Sequence, residues 1–432
     1  MKNKPWYAVA LLASLYVISY IDRLILTLLV EPIKADLGIT DLQMGLLIGP
    51  AFAILFSVIG LPVAWAVDRG NRKGLLIIGI LLWSISTLLA GYATSFAMLF
   101  VLRMGLAVGE SVLSPVAISL IGDLFRRDRR AAPSSVFIAA GTTGVMLAYV
   151  VGAAAIDLAQ SGALRFLPII GVLPPWRLTL ALIALPGFAI ALIALTTLRE
   201  PPRGTMEDTP SIDNGPISRF GIFNRRSEAI RFYACFFIGN ALLGMMLYGA
   251  LAWYPTHLIR SQGVSASQAG YIFSTALALG VLLTMAIPTL AQRIARSGRR
   301  DLLLFAPLLL IPIGLALFVA ALMQKALIIA SILIALGFSL LSAVNALPSI
   351  TVPLTSPPAI RGRLVALVQL CNNIISLSLG AYLVALLART YYPGPTGLGS
   401  AMLVIALSAG PSAWLLFYLA WKPYRRAVMR RG

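Results

Sequence analysis

The chain has 432 residues, of which 59% are hydrophobic and 11% charged, with a net charge of +19 and a mean hydropathy of +0.91. A soluble chain of this length carries roughly 25% charged residues, so the composition excludes an ordinary soluble domain and points to the membrane class. Its basic residues lie in short stretches between apolar runs, which is a topogenic pattern rather than a nucleic-acid footprint. The two cysteines and one histidine exclude a disulfide framework and a histidine-based metal cluster.

Met1-Lys2-Asn3-Lys4 is short and basic, but the apolar run after it is too long for a signal sequence, so a retained first span is expected. A window of about 19 residues finds twelve apolar segments: 6–29, 42–67, 74–93, 96–122, 132–157, 177–198, 229–258, 266–293, 302–321, 325–352, 360–388 and 398–420. Each has the roughly 20 residues needed to cross a bilayer as a helix. Runs this long and continuous are helices, not barrel strands. If the N-terminus is cytoplasmic, that side carries 26 Lys and Arg, against six on the other. The expected fold is therefore an all-α membrane protein of twelve transmembrane helices with both termini cytoplasmic. It spans the plasma membrane many times, in a bacterial cell the inner membrane.

The longest cytoplasmic stretch falls between segments six and seven. Glu200-Pro201-Pro202-Arg203-Gly204 and Asp213-Asn214-Gly215-Pro216 are linker-like. The chain divides into a six-helix bundle at 1–198, a linker at 199–228, and a second six-helix bundle with a basic tail at 229–432. A weak repeat supports two pseudo-symmetric halves: basic positions coincide in 64–73, after segment two, and 291–300, after segment eight. Paired halves are a transporter architecture, with the site near the bilayer midplane.

Within the spans the ionisable residues are few. Asp22, Arg23, Arg103 and Glu110 all lie in the first half and sum to zero charge. A charge at membrane depth is costly unless it faces a protein interior and finds a partner, so each marks a functional site. Depth along the helices, at about 1.5 Å per residue, puts Asp22 and Arg103 level and allows them to pair. Glu110 then has no fixed cation. A buried carboxylate without a permanent partner can exchange protons, which makes Glu110 the first candidate for proton coupling and Asp22 the second. Arg23 and Arg103 are suited to the phosphate or carboxylate of an anionic substrate, with Asp22 and Glu110 beside them in the binding site. Fixed ion pairs joining helix one to helix four are the structural alternative.

No charge lies well inside a span of the second half. Its polar residues are Asn240, Tyr248, Thr284, Asn345, Gln369, Asn372 and Asn373. Most residues of this kind are hydrogen-bonding glue between helices; Tyr248 and Asn372 are the candidates for substrate contact. A charged half opposite an uncharged one suits an amphipathic ligand. His257 is expected as an interfacial histidine near the outer end of segment seven. Pro50 and Pro115 are expected to bend their helices.

Asp68-Arg69-Gly70-Asn71-Arg72-Lys73, after segment two, resembles the signature loop of the major facilitator superfamily, G-x-L-A-D-R-x-G-R-R/K. Ala64 and Asn71 replace the two glycines, while the aspartate and three cations are kept. Four further stretches resemble the spinster-like branch, whose bacterial homologues are lysolipid or sphingosine-phosphate transporter-like. These are Tyr20-Ile21-Asp22-Arg23 with the segment from Leu29 to Gly38; Gly60-Leu61-Pro62; Arg103 to Glu110; and Leu113-Ser114-Pro115 with Asp123-Leu124-Phe125-Arg126. The resemblance implies alternating-access transport of lysolipid- or sphingoid-type lipids, with proton coupling. It also implies a cytoplasmic gate of Asp68, Arg69, Arg72 and Lys73 closing on the start of helix eleven around Arg361. An aspartate at a helix N-terminus is worth about 0.3–1 kcal/mol, enough to bias such a gate.

The function expected is secondary active transport of an amphipathic anion such as a lysolipid or sphingoid phosphate. The alternative is a small organic anion or drug-like compound. No phosphate-binding loop G-x-x-x-x-G-K-S/T occurs, so ATP is not the direct energy source. A membrane-embedded enzyme would need a nucleophile with its base, or a metal cluster, at depth, and neither pattern is present. No cofactor is expected; the partners are membrane lipid, a small amphipathic substrate and protons, with no nucleic acid, and the chain is expected to be a monomer.

Overall fold

The computed structural model describes all residues except 1–4, 165–172, 204–221, 224, 297–301 and 430–432. The basic repeat at 291–300 and the turn at Asp213–Pro216 thus lie partly or wholly outside the described residues. Described residues form helices and connecting turns. They cluster into two compact units, Met1–Ile212 with Val264–Ser274, and Asp213–Gly263 with Thr275–Gly432.

The first unit contains α1 (Pro5–Leu24), α2 (Val30–Leu37), α3 (Asp41–Ile48), α4 (Pro50–Arg69), α5 (Arg72–Ala90), α6 (Phe96–Ser111), α7 (Leu113–Leu124), α8 (Ala131–Gln160) and α9 (Pro175–Thr197). The second contains α10 (Arg226–Gln262), most of α11 (Ala266–Arg296), α12 (Leu302–Met323), α13 (Leu327–Asn345), α14 (Pro348–Thr355), α15 (Pro358–Cys371), α16 (Gly380–Tyr391) and α17 (Gly397–Met429). Among the described residues, eleven helical segments are long and apolar enough to cross a membrane. Their limits fall within a few residues of the apolar segments, because apolar length decides where a chain can span, except that the last runs to Val428 where the apolar segment ends at 420. The eighth segment is the helix α11, which is not among those eleven and many of whose side chains lie outside the description.

Several spans are broken. The second divides at Gly49, ahead of Pro50, into α3 and α4. The fourth divides at Val112, three residues before Pro115, into α6 and α7. Proline has no N–H to donate and crowds the preceding turn, so the expected bends occur at both prolines. The first span ends in a 3₁₀ turn, Ile25–Thr27. The eleventh has a π-helical stretch, Asn372–Leu379, which nothing in the residue pattern announces.

Each break leaves backbone carbonyls without their usual partner. Those at the breaks of the first and second spans meet a buried charge. Close helix approach holds this region together. A Cβ on Gly109 would lie 2.6 Å from the Gly79 carbonyl oxygen, so α5 and α6 touch backbone to backbone beside Glu110. A Cβ on Gly144 would lie 3.2 Å from Val17 and Tyr20, which brings α8 against α1 beside the charges.

Candidate functional site

The four intramembrane charges form one buried cluster in the first unit, with exposures of 1% for Asp22, 9% for Arg23, 4% for Arg103 and 2% for Glu110. Arg103 and Glu110 are seven residues apart, about two helical turns, so both project from the same face of α6. Their partners differ from the expected ones. Glu110 is held by Arg23, whose Nη2 and Nε donate to Glu110 Oε2 at 2.5 and 3.1 Å. The expectation that Glu110 lacks a fixed cation is therefore corrected.

Arg103 is level with Asp22 as expected, but it meets the backbone rather than the carboxylate. Its Nη1 donates to the Asp22 carbonyl at 3.3 Å, its Nη2 to the Arg23 carbonyl at 2.5 Å, and its Nε to the Leu47 carbonyl at 3.3 Å. These three carbonyls lie at the end of α1 and the end of α3, where helical hydrogen bonding stops. A helix C-terminus carries negative partial charge and favours a cation. The guanidinium thus clamps two helix breaks together with donors aimed in a fixed fork. No Asp22–Arg103 side-chain ion pair forms. Arg103, expected to touch substrate, has its donors turned to the protein backbone.

Asp22 keeps both carboxylate oxygens without a hydrogen-bond partner, as does Glu110 with its second oxygen, Oε1. Asp22 lines a small cavity with Ser86, Thr87 and Arg103, and the Thr87 hydroxyl is also buried without a partner. Unbonded oxygens at this depth are costly to maintain in a folded chain. They mark where the cluster has capacity left for a proton or a donor group.

Aromatic rings surround the Arg23 guanidinium. Its Cζ lies 4.4 Å from the Phe52 ring centroid, 4.8 Å from Tyr20 and 5.4 Å from Phe56. Phe52 also lies 5.4 Å from the Arg103 Cζ. Rings stabilise a desolvated cation through their π faces. The cage is absent from the expectations drawn from the sequence. Its available signal was Phe52 and Phe56 one turn apart after the break at Gly49, with Tyr20 three residues before Arg23 on α1.

The cytoplasmic-signature residues are divided in their placement. Asp68 is exposed, and its carbonyl accepts from Arg203 Nη1. Arg69 is exposed, its Cζ 4.5 Å over the Trp65 ring. Arg72 is fully buried and locked within the first unit. It ion-pairs with Asp123 and with Glu200, whose Oε1 is 2.6 Å away, and donates to Ser119 at 3.1 Å and to the Pro201 carbonyl at 2.7 Å. The Lys73 N–H donates to Glu200 Oε2 and its Nζ to the Leu195 carbonyl, both at 2.7 Å. Arg203 also caps the end of α4 through the Val67 and Gly70 carbonyls. Glu200 and Arg203, read in the sequence only as linker, instead strap the loop after α4. Arg361 is half-buried on α15 in the second unit.

In the second unit, the half-buried Asn372 begins the π-helical stretch and accepts from Asn240 Nδ2 at 3.2 Å. Asn345 donates to the Asn240 carbonyl at 2.9 Å, and Ser376 to the Ala241 carbonyl at 2.9 Å. This is interhelical bonding of the kind expected of membrane amides. Tyr248 is half-buried on α10. Gln369 is exposed and Asn373 half-buried, while the Thr284 side chain lies outside the described residues. His257, five residues before the end of α10, is buried, and a Cβ on Gly399 would lie 2.6 Å from its ring, so backbone covers it. Among the described residues, no group of three or more His, Cys, Asp or Glu is arranged to hold a metal ion.

A family model described as Major Facilitator Superfamily matches residues 12–381. An MFS-type efflux pump of Mycolicibacterium smegmatis (strain ATCC 700084 / mc(2)155) is 26% identical over 438 residues, covering 100% of this chain and 96% of the pump. Protein spinster homolog 1 of Homo sapiens is 30% identical over 263 residues, 59% of this chain. That match spans 46% of the human protein, so less than half of its length is represented. Among solved structures, a bacterial homologue of the human lysosomal transporter spinster, in an inward-facing, unoccupied conformation, superposes with a TM-score of 0.79. It is 22% identical, with 99% of this chain and 98% of that one covered.

Proposed function

The chain belongs to the Major Facilitator Superfamily and resembles its spinster-like members, and from that premise we propose that it is a proton-coupled transporter of an amphipathic anion. Family membership makes it a multi-pass membrane transporter and not an enzyme. In the proposed reading twelve helices cross a bacterial inner membrane with both termini cytoplasmic. Residues 1–198 and 229–432 form two bundles joined by 199–228, and they work by alternating access as a monomer. The signature loop with Asp68 and Arg69 is its cytoplasmic gate, and Arg72 and Lys73 fix that loop to the first bundle.

The observation that carries the reading is the Arg23–Glu110 pair inside an aromatic cage, with the unbonded Asp22 carboxylate alongside. With both carboxylates ionised the four charges cancel. Adding one proton leaves the cluster at +1, and adding a monoanionic head group at the same time restores zero. A buried net charge is expensive, so proton and anion are favoured together or absent together. Glu110 is the switch in this scheme. When it takes the proton it releases Arg23, which turns on its rings toward a phosphate or carboxylate. Asp22, whose oxygens are free, is the second proton-exchanging group. A lysolipid or sphingoid phosphate fits a charged head group with an apolar tail.

The efflux-pump relative favours a second reading, export of a drug-like amphiphile. Purified protein in liposomes, given a pH gradient and lysophosphatidic acid, sphingosine phosphate, a small organic anion or a cationic drug, separates the two. Uptake of the anionic lipids that needs the gradient, and that disappears in Glu110→Gln and Asp22→Asn, is the expected result. If both variants keep full gradient-driven transport, the coupling scheme is wrong.

A further inference from the structure

One face of α17 is ordered along its length as a phospholipid is ordered across a leaflet. Leu407 and Leu415 are 54% and 50% exposed. Trp414, Tyr418 and Trp421 follow as a ladder, with ring centroids 5.9 and 6.3 Å apart. Cations complete the series: the Lys422 Nζ lies 4.7 Å over the Tyr418 ring and the Arg425 Cζ 5.1 Å over the Trp421 ring. Positions 407, 414, 418, 421 and 425 step by three, four or seven residues, so they share one stripe of the helix. From Leu407 to Arg425 that stripe rises roughly 27 Å.

The neighbouring helix α12 forms a second wall. Phe305, Leu309 and Ile313 recur every four residues and are 37%, 54% and 52% exposed. Phe305 lies 6.1 Å from Trp421, and Trp414 Nε1 donates to the Leu308 carbonyl at 3.0 Å, fastening the walls together. Two features of this face are left over by the fold. The Trp421 Nε1 is buried and donates to no described atom. Lys422, Arg425 and Arg426 have no carboxylate within ion-pairing distance among the described residues, although Arg425 and Arg426 are adjacent like charges on the last turns.

We propose that this face is a binding site for an anionic phospholipid. Its acyl chains lie on the aliphatic stripe between α12 and α17, and its phosphate sits between Lys422 and Arg425. Tryptophan and tyrosine concentrate at the membrane interface because one end of each ring is apolar and the other polar. Clustered basic residues just beyond a span attract anionic lipid. The rings under Lys422 and Arg425 hold those cations in place without neutralising them, which leaves their charge for a ligand. An anion is the occupant because three unpaired cations call for acceptors and offer no acceptor in return.

The site is separate from the Arg23–Glu110 cluster, and its test reads lipid binding rather than transport, so it can fail without affecting the transport reading. Purified full-length protein in detergent is titrated with phosphatidylglycerol or phosphatidylcholine, and bound lipids are counted by native mass spectrometry. Preferential retention of phosphatidylglycerol is expected. The variant Lys422→Gln/Arg425→Gln/Arg426→Gln should bind it about a hundredfold more weakly, given about one contact's worth of attraction per basic residue. Arg126→Gln/Arg129→Gln/Arg363→Gln removes the same charge from exposed positions elsewhere and should bind like the wild type. Equal retention of phosphatidylglycerol by the first triple variant and the wild type overturns the proposal. So does equal loss in the control, which would make the attraction one of net charge alone.

Discussion

Replacing Arg103 with methionine tests the clamp between the broken helices. Methionine keeps most of the apolar stem and removes every donor. The carbonyls of Asp22, Arg23 and Leu47 then lose bonds of 3.3, 2.5 and 3.3 Å. A hydrogen bond to a charged group contributes about 1.5–3 kcal/mol. Two of the three are long enough to count for less than that, so the sum is about 3–5 kcal/mol. Removing a desolvated guanidinium returns part of the loss, leaving about 2–4 kcal/mol. At about 2–4 °C per kcal/mol for units of this size, the melting temperature in detergent should fall by roughly 5–15 °C. Anionic-substrate affinity, measured on the folded fraction, should fall as well, because without Arg103 the protonated cluster is neutral and a bound monoanion leaves it at −1. A variant that melts with the wild type would refute the clamp.

Glu110→Gln keeps the shape of the side chain but leaves the Arg23 guanidinium without its carboxylate. Breaking one side of a buried pair costs about 3–5 kcal/mol; the double variant Glu110→Gln/Arg23→Met should recover much of the thermal stability while remaining inactive in transport. Arg72→Met removes the ties to Asp123, Glu200 and Pro201 at once. A comparable loss of about 3–5 kcal/mol and faster proteolysis just beyond Arg203 are expected, and unchanged cleavage would mean that the strap does not hold the linker. Gly109→Val puts a Cβ 2.6 Å from the Gly79 carbonyl oxygen and 2.7 Å from the Trp83 nitrogen. Backbone cannot move aside as a side chain can, so a cost at or above the usual 1–3 kcal/mol of overpacking should appear as a lower melting temperature.

The limits of the spans are legible in the residue order because they depend on one summed quantity, apolar length against bilayer thickness. Segment 42–67 and the helices Asp41–Arg69 agree for that reason. The bends at Pro50 and Pro115 are legible too, since a missing N–H acts locally. The π-helical stretch at Asn372–Leu379 is not, because π turns arise from packing around them and carry no residue signature. Glu200 and Arg203 look like linker residues because their partners, Arg72 and the carbonyls at the end of α4, lie more than a hundred positions away.

Residue order alone settles which charges are buried and how deep each lies. Four ionisable residues inside apolar runs must meet one another or a ligand, and helix rise alone put Asp22 level with Arg103. Which atom meets which was set by the packing of the helices. Depth is measured along a helix, whereas pairing also depends on rotation about its axis, and adjacent residues such as Asp22 and Arg23 point about 100° apart. The breaks at Gly49 and at the 3₁₀ turn after Leu24 added a further competitor, free backbone carbonyls. Those carbonyls took Arg103, Glu110 took Arg23, and Asp22 was left with two unbonded oxygens at the centre of the first unit.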